Sequence, residues 1–482
     1  MTAERAIKAA AQRRRKSAAM RRCALWVSLA AGIPGWMGAR SLRAQGPGIT
    51  MAQAVDAALR NYPSIRVSEE QRNAAAAAIR LAQTAYLPRV DGLAQMNRAT
   101  TNNVFGVLLP QGVIPSISGP VLGTNNVGST WDSGAGVLVT WQPFDFGLRR
   151  ANVARAAAER DQAQASVNRT RYEVSAATAD AFLTVIAAEQ TAKAARASVD
   201  SWEVLLRSIH ALAAAQLRPG ADESRAQAEL AAARTQLAQA EQAIEVARAA
   251  LAQFVGLNPD QIHLDPGKCV EQLPAEHPEA PLNVGANPLA VEQNAVIAHE
   301  QSQLGVLQRT YYPLFLLQGS ASARGTGMEI NGARLGGWNG LAPTFQNYAL
   351  GLTVTFPAMD RFALREQEAA QTARIRAGQA QFQAIAVNLQ AQFNAALATL
   401  DGARKIAANT PIQVSSARTA LEQATARYQA GLAPIDDVAQ AQRLLVRAEI
   451  DDALARLNVW RALLQVNAAR GDIQPFVAEI GP

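Results

Sequence analysis

Cysteine and long apolar runs are both scarce in this chain of 482 residues. Of its two cysteines, Cys23 lies in an N-terminal segment with the features of a cleaved signal, so Cys269 is the only one expected in the mature chain. A single cysteine excludes an internal disulfide and disfavours a thiol enzyme. Beyond that segment, no apolar run approaches the roughly 20 residues of a membrane-spanning helix. If the chain crosses a membrane, it must therefore cross as β-strands.

Candidate metal ligands and catalytic groups are also few. His263, Cys269 and His277 could bind a metal by residue type, but their spacing fits no usual site and a fourth ligand is missing. No combination of acid, base and nucleophile stands out from the background. We therefore predict that the chain is not an enzyme and needs neither a metal nor a cofactor.

The positive charge of the chain is concentrated at its N-terminus. Residues 1–44 hold ten Lys or Arg and one acidic residue, so removing them changes the formal net charge from +7 to about −2. A nucleic-acid partner then loses its main support. Basic residues precede an apolar run from Cys23 to about Ala39, and Ala44 lies at the expected cleavage point. We predict a signal peptide; a membrane anchor is the alternative, although Pro34 interrupts the run.

The rest of the chain repeats one plan twice. Pro63 and Pro288 lie 225 positions apart, and so do Pro88 and Pro313. A period above 200 residues is too long for a solenoid and indicates a duplicated domain. The predicted divisions are a first repeat at 45–257, a Pro-rich connector at 258–287, a second repeat at 288–475 and a C-terminal tail at 476–482.

Each repeat changes from a helical to an alternating pattern. After an Ala-rich helix (about 63–86 and 288–311), the apolar period switches from 3.6 to 2, which predicts β-hairpins at about 88–143 and 313–357. Strands of about ten residues with one apolar face are what a membrane-spanning barrel requires. A soluble hairpin with one buried face is the alternative.

Very long helices follow each hairpin. Stretches of nearly 70 residues rich in Ala, Gln, Arg, Glu and Leu would reach ~100 Å at 1.5 Å per residue. Small alanine side chains allow helices to pack closely along such a length. The predicted helical hairpins lie at about 147–255 and 359–470, and they indicate a rod or a tube.

Four strands are too few to close a barrel, because single-chain barrels begin at eight strands. An open sheet edge in lipid would leave backbone groups unpaired at several kcal/mol each. Either several chains pool their strands, or no membrane is involved.

Several motifs resemble the TolC family, the outer membrane factors of Gram-negative efflux and secretion systems, over residues 50–475. They include the helix start at Asn287-Pro288, the Tyr-Leu-Pro-Arg-Val strand entry from Tyr86, the strand exit from Trp141 to Gly147, and the turn Tyr428-x-x-Gly431 followed by Asp437. The resemblance implies a mixed α and β membrane protein: a homotrimer whose twelve-stranded β-barrel in outer membrane lipid continues as a periplasmic α-helical tunnel. It also implies an exit duct that receives substrate from an inner-membrane pump through a periplasmic adaptor.

The same resemblance assigns roles to the helical turns. Asp437 would be the carboxylate at the tunnel entrance, and Tyr428 and Asp436 are the other predicted residues of this gate. The alternative is that Asp437, like Asp436, only complements the helix dipole. The turns would dock the adaptor through Arg218, Pro219, Gly220, Gly431, Leu432, Ala433 and Pro434.

The chain departs from the family pattern at the predicted gate. A second entrance acid would fall at Gln440, and a basic position of some members is Ala433. In the first turn, the position six beyond Gly220 is Ala226, and the nearest acid is Asp222. A periplasmic coiled-coil scaffold remains the alternative function, and the sequence does not identify the cargo.

Overall fold

The computed structural model describes residues 48–100, 128–216, 219–276, 280–329 and 333–481. The predicted signal peptide at 1–44 lies outside these residues, as does His277. The described elements, in chain order, are α1 Met51–Asn61, α2 Pro63–Thr84, β1 Arg89–Thr100, β2 Ser129–Trp141, α3 Leu148–Ala214, α4 Gly220–Val255, α5 Pro288–Thr310, β3 Leu314–Thr326, β4 Phe345–Thr355, α6 Asp360–Gln429, α7 Ile435–Arg470 and α8 Gln474–Ile480. Short 3₁₀ turns between α4 and α5 span Pro259–Gln261, Gly267–Cys269 and Val284–Ala286.

The strands form one antiparallel sheet in the order β1-β2-β3-β4. Its register places the apolar sides of all strands on the same face, because Val90 pairs with Val139, Val139 with Gly319, and Gly319 with Leu350. Large apolar side chains on this face are exposed, and Leu350 reaches 78%. In the described part of the sheet, β1 and β4 are edge strands, each paired on one side only.

Helices α3 and α6 run for 67 and 70 residues and each folds back into a 36-residue helix. Helix α6 contains Pro411 and continues through it. The return helices α4 and α7 end at Gly256 and Gly471, whose φ angles of 77° and 86° suit glycine. No helix in the described ranges is apolar enough over a sufficient length to span a membrane.

Asn61 and Asn287 lie just before α2 and α5, and each joins that helix end to end with a return helix. The Asn61 side chain donates to Val255 O at 3.1 Å, and the Asn287 side chain donates to Ala469 O at 3.0 Å. Each asparagine thus satisfies a carbonyl at the C-terminus of a return helix just before α2 or α5 begins. The structure gives the repeated motif a physical reason: it couples the return helix of each repeat to the helix that leads into the sheet.

The main hydrophobic core lies where α1, α8 and the connector pack on the long helices. Phe182, Trp460 and Phe476 are all at most 2% exposed there, and Trp460 donates its indole N–H to Gln272 O at 2.9 Å. The segments expected to be a plain connector and a tail therefore contribute to the core. Without the connector and α8, apolar surface of α1, α3 and α7 would be exposed to water here. Cys269 and Phe476 cover this surface and are both fully buried.

The junction between β2 and α3 is held by one buried ion pair. Asp145 accepts hydrogen bonds from the backbone N–H groups of Gly147 and Arg149, and the Arg149 Nε lies 2.8 Å from its carboxylate. Burial alone would raise the pKa of Asp145, but these hydrogen bonds and the adjacent guanidinium lower it. Arg149 also donates to Ala85 O and Pro143 O. This pair therefore fixes the sheet to the adjoining ends of α2 and α3.

Candidate functional site at the ends of the helical hairpins

Both helical hairpins turn at the same end of the molecule, and the second turn is well defined. Helix α6 ends at Gln429, and Gly431 adopts a φ of 80°, so that Gly431 N–H and Leu432 N–H donate back to Tyr428 O and Arg427 O. Pro434 precedes the first turn of α7, where Asp436 and Asp437 lie at the positive end of the helix dipole. The turn therefore presents two carboxylates in fixed positions.

A cluster of buried side chains joins the two hairpins at these turns. It combines the end of α3 with the start of α4 and the end of α6 with the start of α7, and Trp202 and Tyr428 are its largest members. Both are at most 2% exposed. The remaining buried members are Val199, Ile209, Ala226, Leu230, Ala233, Ala424, Ile435, Val438, Ala439 and Ala441. We call this group the tip cluster; it holds the second hairpin against the first.

Tyr428 makes a polar contact across the tip cluster. Its hydroxyl donates to Asp222 Oδ2 at 3.1 Å, linking the last turn of α6 to the first turn of α4. Asp222 is partly exposed, whereas the tyrosine ring is 1% exposed. The apolar ring fixes the position of the hydroxyl, and the carboxylate is a strong acceptor for it.

Four charged side chains form a second link between α4 and α7, which we call the charge ladder. Arg225 lies 3.2 Å from the Asp436 carboxylate and 3.5 Å from Glu229, and Glu229 in turn lies 2.7 Å from Arg443. Arg225, Asp436 and Arg443 are each at least half exposed. Each pair alone is therefore weak, but together they set the register of the two return helices.

The other predicted residues occupy the turns themselves. Asp437 is partly exposed, and its backbone N–H donates to Pro434 O. Leu432 is 78% exposed, Ala433 is buried, and Gly431, Pro434, Pro219 and Gly220 are exposed. Arg218 lies outside the described residues.

Sequence reasoning missed four residues of this site: Arg225, Glu229 and Arg443, and the role of Asp222 as partner of Tyr428. Asp222 and Tyr428 are 206 residues apart, so no local pattern connects them. Arg225 and Glu229 also form an i,i+4 pair, the common pattern of a solvated helix face, which conceals their contacts with α7. The duplication was the available signal, since it predicts that equivalent turns lie side by side.

Known proteins match both the sequence and the fold. The outer membrane efflux protein family matches residues 54–257 and 287–472. Protein CyaE of Bordetella pertussis is 30% identical over 232 residues, which is 46% of this chain and 43% of CyaE, so the match spans less than half of that relative. The Campylobacter jejuni CmeC outer membrane channel has a TM-score of 0.70 at 16% identity, covering 93% of this chain and 95% of that one. The Vibrio cholerae outer membrane protein VceC has a TM-score of 0.67 at 19% identity, covering 88% and 96%.

The four-stranded sheet continued by two long helical hairpins is the fold that this chain shares with CmeC and VceC. The chain belongs to the outer membrane efflux protein family, as its two matched segments together include most of its length. The family predicted from the motifs is confirmed. The chain is located in the outer membrane and has a periplasmic extension.

Proposed function

We propose that three copies of this chain form the exit duct of a tripartite efflux or secretion system. In this assembly, an inner-membrane pump and a periplasmic adaptor deliver substrate to the helical end, and the duct conducts it to the exterior. The observation that carries the proposal is that neither edge of the sheet is paired among the residues that the structure describes. Strand β4 is exposed along its whole length, and β1 forms the opposite edge.

Closure by identical copies follows from the cost of such edges in lipid, where each unpaired backbone group costs several kcal/mol. Pairing β4 of one copy with β1 of the next removes every edge after three copies and gives twelve strands. The helices have the same order as the strands, since α2 leads into β1 and α6 follows β4. A single three-fold axis therefore closes both the sheet and the helical layer.

The helical turns lie at the periplasmic end of this assembly and form its gate. Three Asp437 side chains converge there on the axis, and their combined charge attracts cations and repels anions. Within each copy, the tip cluster, the Tyr428–Asp222 hydrogen bond and the charge ladder hold the second hairpin inward. Opening requires this hairpin to move away from α4 and to break those contacts.

The exposed parts of the turns are the docking surface for the adaptor. Leu432 and Pro434 project from the second turn, and Pro219 and Gly220 form the exposed part of the first. Adaptor contacts that favour the displaced hairpin would shift the gate towards its open state. Gly431 is exposed in the second turn and belongs to the same docking surface, whereas Ala433 is buried. Arg218 is assigned to this surface by the family resemblance alone, because it lies outside the described residues.

Two measurements on the full-length protein test this function together. An outer-membrane fraction should contain a species whose migration on a gel changes on heating, and the purified species should conduct ions across a planar bilayer. A periplasmic scaffold would instead be recovered in the soluble fraction and carry no current. No observation in the described structure favours that alternative.

A further inference from the structure

One aromatic and basic cluster lies far from the gate, at the opposite end of the sheet. Trp131 of β2 and Trp338 of the β3–β4 loop are stacked, with ring centroids 6.4 Å apart and planes inclined by 9°. The guanidinium of Arg98 lies 5.2 Å from the Trp131 ring centroid, and Arg98 is the direct neighbour of Trp131 in the register of β1 and β2. Trp338 is 78% exposed.

The position of this cluster follows from the spacing of two tryptophans. Trp131 and Trp141 are ten residues apart and therefore on the same face of β2, the face that also exposes Val137 and Val139. Ten residues span ~33 Å along a strand, or ~25 Å after a tilt of about 40°, which is the height of the apolar band of a membrane barrel. Trp141 adjoins the helices, so Trp131 marks the membrane–water interface on the opposite, outer side of the membrane.

The loop that carries Trp338 is fastened to β2. Gly327 N–H donates to Trp131 O at 2.9 Å, which joins the start of the loop to β2. Within the loop, the Asn339 side chain donates to Leu335 O and Gly336 O at 3.0 Å each. Gly340 has a φ of 98°, and a Cβ at this position would overlap with Trp131 O. The second tryptophan is therefore held in place by backbone contacts rather than by burial of its own ring.

We propose that Trp131, Trp338 and Arg98 bind the headgroup of a phosphorylated glycolipid in the outer leaflet. The stacked indoles offer flat apolar surfaces on which sugar rings pack, and an arginine guanidinium recognises phosphate with paired hydrogen bonds. The site faces lipid at headgroup depth, where such a molecule presents both groups at once. This inference rests on the orientation given by the proposed function, with the helices in the periplasm.

The test measures lipid binding to the full-length wild-type protein in detergent by native mass spectrometry. The probes are a bisphosphorylated acyl-disaccharide lipid, the same lipid without its phosphates, and phosphatidylglycerol. Wild-type protein should prefer the bisphosphorylated lipid over both others. Arg98→Gln and Trp338→Ala should each weaken that binding by about tenfold, as expected for losing a phosphate contact or an aromatic surface.

Matched controls come from the other end of the sheet. Arg89→Gln alters an exposed arginine of the same strand, and Phe356→Ala removes a ring that is 68% exposed; neither should change lipid binding. Equal binding of all three lipids by wild-type protein, or equal effects of Arg98→Gln and Arg89→Gln, would overturn the proposal. The bilayer current is recorded on the same samples. Its presence without lipid preference refutes the lipid site alone, whereas its absence refutes the duct.

Discussion

The hydrogen bond between Tyr428 and Asp222 gives the sharpest prediction about the gate. Tyr428→Phe removes only the hydroxyl that lies 3.1 Å from the carboxylate and leaves the buried ring in the tip cluster. A hydrogen bond to a charged group contributes ~1.5–3 kcal/mol, and the partial exposure of Asp222 favours the lower end. One copy should therefore lose about 1.5 kcal/mol of preference for the closed state, roughly a tenfold shift.

In a trimer that opens as one unit, the three losses add. The closed state would then lose roughly 4.5 kcal/mol, or about a thousandfold in the equilibrium between closed and open states. The assay is the open probability of single channels in a planar bilayer at fixed salt concentration. If the three hairpins move independently, the variant should instead show sublevels of conductance, each favoured about tenfold.

The control for this experiment is Tyr172→Phe. Tyr172 is a partly buried tyrosine, and its hydroxyl donates to Ala468 O near the C-terminus of α7, away from the turns. This variant should leave the open probability unchanged. Asp222→Asn should raise the open probability, and adding Tyr428→Phe to it should raise it less than in the wild-type background. An open probability equal to that of wild type in Tyr428→Phe would refute the role of this bond.

Three further predictions concern other parts of the chain. Asp437→Ala should raise the closed-state conductance and weaken block by multivalent cations, whereas Asp437→Glu should retain both properties, as measured in bilayers. Asp145→Asn should reduce the free energy of unfolding by about 3 kcal/mol, because it leaves buried Arg149 without its counter-charge. The assembly should therefore dissociate on a gel at a lower temperature than wild type. Since the folded pKa of Asp145 is lowered, its stabilisation should be present above the unfolded value of about 3.9 and disappear as the pH falls through the folded value. Cys269 is buried, which raises its pKa to about 12, so maleimide at pH 8 should label it only after unfolding, as judged by mass spectrometry.

The sequence predicted the strands and long helices well because both depend on local periodicity. The alternation from Val90 onward and its counterpart around Leu350 placed residues on one face, and the observed register agrees. Helix α1 was not predicted as a separate element, although Thr50 and Gln53 form a capping box that marks its start.

The partners across the tip could not be predicted in the same way. Contacts such as Glu229 with Arg443 join positions 214 residues apart, and one sequence contains no signal for such pairs. The burial of Cys269 and Phe476 was missed for a related reason. Short apolar segments between prolines, or near a chain end, have no periodicity that distinguishes a solvated connector from a core element.

Both the barrel and the duct require closure of the sheet by identical copies, since β1 and β4 of one protomer each have a free edge in the described part of the sheet. Native mass spectrometry of the detergent-extracted mature chain tests this directly. We predict a single assembly of three times the protomer mass that dissociates only on heating. A stable monomer that remains soluble without detergent would contradict both the barrel and the duct.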